Sequence, residues 1–442
     1  TGPVNPNDGW AVGNASTTVV SGYAFNNEPT IIHWNGFMWT KGVAIGTTND
    51  LNSVFMLNGG DVWAVGGGKN PTATCVTPPE LCPVILHYTG GSWNTVTPPP
   101  GNYRLKSVFM VSSSEGWAVG QANGNVGIIL HYTVTGGVGT WAIFPAPATP
   151  NPITSLNSVF MLGPNEGWAV GDNATILHYT VTGGVGTWNL VTVSGTPGIS
   201  KYVNLTSTFM LSPTSGWAVG GVQVPPADGS GMSAGPVIIY WDGTKWTPVA
   251  TPTMPGGHTA FGHTSSLLKT IYCTGSNDCW TAGLPGTLLA TLFHWDGVGW
   301  NHITTSPALL GEEPPILTSI YMISPTAGWI VGSDPGFLTV PTPTIGHALS
   351  TIMRFAPFSG ISTATSTTTV VSTVSTSTTF LATSTTYTSI TSTTSTATTT
   401  TTTSVSGGGI PGFPVESIIA GIAIGLLTLT VLRRRRARNA AG

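Results

Sequence analysis

The feature that most constrains this chain is a tryptophan motif that returns seven times. Gly-Trp-Ala-Val-Gly, or a close variant, recurs at intervals of 49 to 63 residues. In six copies an alternating apolar run such as Ser-Val-Phe-Met precedes the motif, and in every copy a run ending in an aromatic residue follows it. The motif tryptophans are Trp10, Trp63, Trp117, Trp168, Trp217, Trp280 and Trp329.

These runs predict four short strands per repeat, since six copies continue through a glycine-containing turn to a second tryptophan. A period near 50 residues with four strands per unit indicates a β-propeller. The sequence thus predicts an all-β fold, a seven-bladed β-propeller over residues 1–360. The first repeat lacks a first strand and the last lacks a fourth. Residues 367–374 are the candidate closing strand, donated to their own ring or to a neighbouring subunit.

The repeat also accounts for the tryptophans, histidines and acids that would otherwise be candidates for a binding, metal or catalytic site. All sixteen tryptophans fall on them, which predicts packing rather than sugar binding. Five histidines share one third-strand position, where we expect a structural role such as bonding between blades instead of a metal site: His33, His87, His131, His178 and His294. Five acids lie two residues before a motif tryptophan, where they are expected to serve the turn: Asp8, Asp61, Glu115, Glu166 and Asp278. No catalytic residue, metal site or cofactor is predicted.

The repeat resembles the Asp-box (BNR) propellers, and especially the propellers of photosystem II assembly factors. Residues 240–246 and 294–300, Tyr-Trp-Asp-Gly-Thr-Lys-Trp and His-Trp-Asp-Gly-Val-Gly-Trp, carry the likeness together with the Gly-Trp-Ala-Val-Gly strands. The resemblance implies the fold and leaves activity open, because such propellers include hydrolases, chaperones and binding modules. A sialidase-like site needs an arginine cluster for the substrate carboxylate, and residues 1–360 contain only Arg104 and Arg354.

Four cysteines form two close pairs. Cys273 and Cys279 align with opposed positions of one hairpin, which predicts a disulfide in the sixth repeat. Cys75 and Cys82 lie in an insertion that a second disulfide would close. Paired cysteines, and a chain that starts at Thr1 as a processed secretory protein does, favour an extracytoplasmic location.

The C-terminal region, residues 361–442, differs in composition from the repeats. Residues 361–409 are rich in Ser and Thr and predict a disordered, O-glycosylated stalk, or a bare linker. Residues 410–432 are long and apolar enough for a transmembrane helix, and residues 433–442 form a basic tail. Because positive residues stay on the cytoplasmic side, the N-terminus is predicted outside the cell and the C-terminus inside.

This tail resembles the PGF-CTERM signals of archaeal surface proteins. It carries the tripeptide Pro411, Gly412 and Phe413 between a Thr-rich stretch and an apolar helix with a basic end. The resemblance implies removal of the helix and attachment to a lipid. Pro414 and Glu416 depart from the apolar residues usual after the tripeptide, and an uncleaved anchor is the alternative.

Together these features predict a cell-surface, membrane-anchored β-propeller that acts as a non-catalytic binding, adhesion or envelope-interaction module. The alternatives are a structural subunit of a surface layer or filament, and an envelope-glycan hydrolase. Expected partners are the membrane, other envelope proteins, glycans or the protein itself, but no nucleic acid, because residues 1–360 carry fifteen acids and eight bases. Insertions at 67–83, 221–236, 302–317 and 333–350 mark the expected binding face. Sequons predict N-glycosylation at Asn14, Asn173 and Asn204.

Overall fold

Repeats 2 to 7 each fold as an antiparallel meander in which consecutive strands are neighbours. The computed structural model describes residues 6–15, 19–20, 23–24, 29–42, 49–68, 81–149, 152–191, 193, 202–224, 233–252, 267–284, 291–303, 316–334, 349–355 and 372–374. All of them belong to one compact unit, Thr1–Pro357 with Ala364–Thr376. We number the sheets by the repeat from which they come.

Sheets 2 to 7 are four-stranded. Sheet 2 contains β6 (Leu51–Asn58), β7 (Asp61–Gly68), β8 (Cys82–Thr89) and β9 (Ser92–Val96). Sheet 3 contains β10 (Tyr103–Ser112), β11 (Glu115–Ala122), β12 (Val126–Thr135) and β13 (Val138–Ile143). Sheet 4 contains β14 (Leu156–Gly163), β15 (Glu166–Gly171), β16 (Ile176–Thr182) and β17 (Val185–Leu190). Sheet 5 contains β18 (Val203–Ser212), β19 (Ser215–Val224), β20 (Ser233–Trp241) and β21 (Trp246–Val249).

The last two sheets follow the same order. Sheet 6 contains β22 (Leu268–Gly275), β23 (Asp278–Gly283), β24 (Thr291–Trp295) and β25 (Trp300–His302). Sheet 7 contains β26 (Ile316–Ser324), β27 (Ala327–Asp334), β28 (Leu349–Phe355) and β29 (Ser372–Val374). Strand β29 lies within residues 367–374, so the start of the Ser/Thr-rich segment supplies the fourth strand of a sheet in its own chain.

The prediction of seven blades is corrected: the described residues form six four-stranded blades. Sheet 1 has three strands, β1 (Gly9–Ala15), β4 (Pro29–Trp34) and β5 (Trp39–Lys41), beside a small hairpin of β2 (Val19–Val20) and β3 (Tyr23–Ala24). The reason is that the residues just before β1 form its entry turn instead of an inner strand. Pro6 accepts a hydrogen bond from the Trp34 indole through its carbonyl, and Asp8 binds His33.

The hydrophobic core lies between sheets, where tryptophans interlock. Trp117 of sheet 3 packs on Tyr179 and Trp188 of sheet 4, with ring centroids 4.7 and 5.5 Å apart. Trp329 of sheet 7 makes the corresponding contacts with Trp34 and Trp39 of sheet 1, at 4.8 and 5.4 Å. The last sheet therefore packs against the first. The predicted packing role of the tryptophans is confirmed at these positions.

First strands line the inside of the fold, and each carries a bulge at its start. In β10 the register with β11 shifts between Leu105 and Ser107, and the other five first strands shift at the same place. The bulge pushes the carbonyl of the residue before the leucine towards the last glycine of the tryptophan motif. A Cβ atom on Gly171 would overlap the Ser155 carbonyl oxygen. This overlap explains why the motif ends in glycine.

The described residues contain no α-helix, and one short 3-10 turn spans Asn123–Asn125. Among them no helix is long and apolar enough to cross a membrane. The predicted transmembrane helix at 410–432, the basic tail, and Pro411, Gly412 and Phe413 lie outside the described residues.

Candidate functional site

The bulges place one variable side chain per first strand at the same end of the inner wall. We call this ring of positions the mouth: Asn52, Lys106, Asn157, Thr206, Lys269 and Thr318. Each is the residue that the register shift leaves without a partner on the second strand. Three of them bind the backbone of the next first strand: Asn52 donates to the Leu105 carbonyl, Asn157 to Leu205 and Thr206 to Leu268.

Neighbouring first strands are joined just beyond the mouth. Ser53, Ser107, Ser158 and Ser207 each accept a hydrogen bond from a backbone N–H of the next first strand, over 3.2 to 3.3 Å. Thr270 does the same for Ile320 at 3.4 Å. The six first strands therefore form one continuous curved wall.

Deeper along this wall runs an unbroken row of aromatic rings. Successive members lie 4.6 to 5.1 Å apart between centroids. The row consists of Phe55, Phe109, Phe160, Phe209, Tyr272 and Tyr321. Tyr321 is 40% exposed, and the others are half-buried. Burial raises the pKa of the Tyr272 and Tyr321 hydroxyls, so both stay neutral.

Lys106 is held firmly in the mouth. Its ammonium donates to Ser155 Oγ at 2.6 Å and to Asn157 Oδ1 at 2.8 Å. The Asn157 amide is itself fixed, because its nitrogen donates to both Asp172 Oδ1 and the Leu205 carbonyl at 2.8 Å. Burial lowers the pKa of Lys106 to about 8; the Asp172 carboxylate opposes this shift, whereas Arg104 and Lys269 add to it.

Lys269 occupies the equivalent position three repeats further on. Burial lowers its pKa also, against the opposing charge of Asp172. Arg104, two residues before Lys106, donates to Gln121 Oε1 at 3.0 Å, and its Nε is buried with no hydrogen-bond partner among the described residues. The mouth thus contains two lysines. The Asp172 carboxylate beside it acts on both of them, and Arg104 acts on Lys106.

The five histidines lie at the opposite end, beside the turns that join first and second strands. Each stacks on or tilts against the motif tryptophan of its own sheet, as His87 does on Trp63 at 3.9 Å. Each also faces the acid two residues before that tryptophan, as His87 faces Asp61 at 2.8 Å. The role is structural, but the expectation of bonding between blades is wrong, because third and second strands of one sheet pair directly.

The five acids do more than shape turns, since each contacts a histidine. The aspartates Asp61 and Asp278 make a hydrogen bond that the glutamates lack. Asp61 and Asp278 accept a hydrogen bond from histidine and also from the motif indole N–H at 3.0 Å. Glu115 lies 3.5 Å from His131, and Glu166 lies 3.4 Å from His178. Burial lowers the pKa of both histidines and outweighs the opposing glutamate charge. No cluster of three metal-ligating side chains occurs among the described residues.

Other predicted sites are placed as follows. The disulfide between Cys273 and Cys279 is confirmed, and Cys82 is disulfide-bonded, whereas Cys75 lies outside the described residues. Asn173 and Asn204 meet at the mouth end, where the Asn173 backbone N–H donates to Asn204 Oδ1 over 3.2 Å. Asn14 lies near the end of β1. Glycosylation of these three asparagines stays a prediction.

The predicted insertion face coincides with the mouth end. First strands begin there, so the antiparallel order puts second-to-third and fourth-to-first connections at the same end. Most of the inserted residues lie outside the described ranges, but their flanks are placed. Sequence reasoning missed Lys106, Lys269 and Asp172. The available signal was a charged residue inside an otherwise apolar first strand, which reads Leu-Lys-Ser and Leu-Lys-Thr in the third and sixth repeats.

No protein-family model and no curated protein sequence matches this chain. Among solved structures, YCF48 bound to D1 peptide is similar, with 15% identity, 73% of this chain and 96% of that chain covered, and a TM-score of 0.41. A PL25 ulvan lyase, a polysaccharide lyase bound to -[GlcA(1-4)Rha3S]-, is also similar, with 9% identity, 73% and 92% covered, and a TM-score of 0.48. These likenesses concern the β-propeller fold, and the ligands are those of the other two proteins.

Proposed function

We propose that this protein is a non-catalytic binding module whose ligand enters the mouth. One observation carries the proposal: a ring of polar and cationic side chains, with Lys106, Asn157, Thr206 and Lys269 half-buried and Asn52 and Thr318 exposed, stands above a continuous aromatic wall. Polar groups in fixed positions above apolar surface are the usual makeup of a ligand site. Hydrogen bonds between Lys106 and Asn157, and from Asn52, Asn157 and Thr206 to backbone carbonyls, hold these groups in place before a ligand arrives, which lowers the entropy lost on binding.

We further propose that the three-stranded sheet takes the seventh place in a closed ring. The support is the Trp329 contact with Trp34 and Trp39, which repeats the contact of Trp117 with the next sheet. A closed ring gives the mouth a complete rim and leaves the connections at one end free to vary.

The site of action in this proposal is the cell surface. The apolar segment 410–432 followed by five arginines supports a membrane anchor, and the Ser/Thr-rich segment supports a glycosylated spacer. The disulfide between Cys273 and Cys279 fits an oxidising compartment. The low charge of the sequence, 7%, also leaves its solubility to hydroxyl groups, amides and sugars.

Cross-linking mass spectrometry on intact cells carrying the full chain tests the function. A binding module gives cross-links from the mouth-end connections to other envelope molecules. Cross-links between copies that one molecule cannot span would instead support the surface-layer alternative. Release of oligosaccharides from purified envelope by the full chain would support the hydrolase alternative and overturn the proposal.

A further inference from the structure

Cationic side chains are scarce in the repeats and concentrated at the mouth. Residues 1–360 contain eight lysines and arginines; two of them, Lys106 and Lys269, lie in the mouth, and Arg104 lies two residues before Lys106. Lys245, by comparison, is exposed in the turn between β20 and β21, at the opposite end. Among the described residues, the six positions of the mouth therefore hold two lysines and no carboxylate.

Among the described residues, this positive charge is incompletely compensated. Asp172 is the carboxylate that acts on both lysines, and one of its oxygens already accepts from Asn157. Lys269 forms no hydrogen bond with another described residue, whereas Lys106 is fixed by Ser155 and Asn157. Two partly desolvated ammonium groups that share one carboxylate are costly, and a bound anion would offset that cost.

The aromatic row sets the second requirement on a ligand. Phe109 follows Lys106 by three residues in β10, and Tyr272 follows Lys269 by three residues in β22. At the rise of a β-strand this separates the ring level from the ammonium level by roughly 7–10 Å. One small molecule can therefore contact both levels if a charged group and an apolar body are joined directly.

We propose that the mouth binds an organic carboxylate whose charged group lies between Lys106 and Lys269 and whose apolar body contacts the aromatic row. This inference rests on the proposed function and names the chemical class of its ligand. The hydroxyl and amide groups of Thr206, Thr318 and Asn52 surround the same opening and orient the ligand. The carboxylate is either a free small acid or a group presented by a larger envelope partner.

Benzoate is the probe, with benzamide as its neutral isostere. Saturation-transfer NMR and calorimetry on the full chain are expected to show benzoate binding, with benzamide at least tenfold weaker. Lys269→Met should weaken benzoate binding at least tenfold, and Lys269→Arg should retain most of it. Lys245→Met removes the same charge at the opposite end and should leave the affinity unchanged. Lys269 is the better target because its loss breaks no described hydrogen bond.

Equal binding of benzoate and benzamide, or equal benzoate affinity in Lys269→Met and Lys245→Met, would overturn the carboxylate site. If Lys269→Met melts early, Lys269→Gln at a temperature where it is folded replaces it. Cross-linking on cells distinguishes the two sources of the carboxylate. Excess benzoate abolishes the envelope cross-links if a partner presents the carboxylate, and leaves them intact if the ligand is a free acid. Envelope cross-links without benzoate binding would refute this inference while supporting the proposed function.

Discussion

One methylene group separates the aspartates of sheets 2 and 6 from the glutamates of sheets 3 and 4; in sheet 1, Asp8 binds His33 while the Trp10 indole N–H has no hydrogen-bond partner among the described residues. Asp61 reaches both the His87 ring and the Trp63 indole N–H, whereas the Trp117 indole N–H beside Glu115 has no hydrogen-bond partner among the described residues. A buried donor left unpaired costs about 1–3 kcal/mol. The hydrogen bonds among the acid, the histidine and the motif tryptophan therefore differ from sheet to sheet.

Glu115→Asp is expected to stabilise the protein. The shorter side chain brings the carboxylate within reach of both His131 and Trp117, which should add about 1 kcal/mol to the free energy of unfolding. The measurement is urea denaturation followed by tryptophan fluorescence. Asp61→Glu is the reverse control and should destabilise by a similar amount; a stabilising Asp61→Glu would contradict the explanation.

Lys106 is expected to react as an amine at a lower pH than an ordinary lysine. Its pKa of about 8 lies below the usual value near 10.4, because burial disfavours the ammonium. The unfolded chain therefore binds the proton more tightly than the folded one, and this group makes the protein more stable as pH rises from about 8 to about 10.5. Competitive acetylation at several pH values, read by mass spectrometry, gives the midpoint, with the urea-unfolded protein as reference. Identical midpoints in both states would refute the shift.

In sheets 3, 4, 5 and 7, the tryptophan motif is shaped by its two glycines. The first faces the methionine of the first strand, as Gly167 faces Met161, and the last faces the bulge carbonyl, as Gly171 faces Ser155. In the sixth repeat the Met–Gly pair is replaced by Cys273 and Cys279, directly opposed across the same hairpin. The disulfide lies where the Met–Gly pair of sheets 3, 4, 5 and 7 already brings the first and second strands close together.

Gly171→Ala is expected to destabilise sheet 4 by roughly 3 kcal/mol, because its Cβ would overlap a backbone oxygen that cannot rotate away. Gly163→Ala, in the same sheet but with open space around it, should change stability by less than about 0.5 kcal/mol. Thermal unfolding of the two variants side by side is the measurement. Equal melting temperatures would show that the bulge moves freely.

Sequence periodicity was sufficient to predict the strands, their order and the packing of the tryptophans, because each depends on short-range alternation and turn chemistry. The site was harder to predict. Lys106 and Lys269 are far apart in sequence, and they share the mouth only because a bulge stands at the same place in the first strands of the third and sixth repeats. The pairing of His87 with Asp61 depended on strand register across a turn and a long connection, which composition does not reveal. The missing inner strand of sheet 1 was visible in the sequence, because no alternating apolar run precedes Trp10, and sheet 1 has three strands.

For the whole molecule, the contact between first and last sheets decides whether the array behaves as a ring. Trp329→Ala removes an indole that packs on Trp34 and Trp39, and we expect a loss of about 2–4 kcal/mol. Trp117→Ala, which removes the equivalent indole between sheets 3 and 4, is the matched control. Denaturant unfolding should give comparable losses. A loss below about 0.5 kcal/mol for Trp329→Ala alone would mean an open array.

The fourth strand of sheet 7 gives the molecule a particular response to mechanical load. Only Ser372, Thr373 and Val374 pair with β28, and the chain continues from them towards the proposed anchor. Tension applied through that tether reaches this short pairing before it reaches any first strand. The pairing would part at low force and lengthen the tether, while the wall that carries the mouth kept its shape. Shear at a surface would thus be absorbed by a replaceable edge strand, and a bound ligand would not feel it.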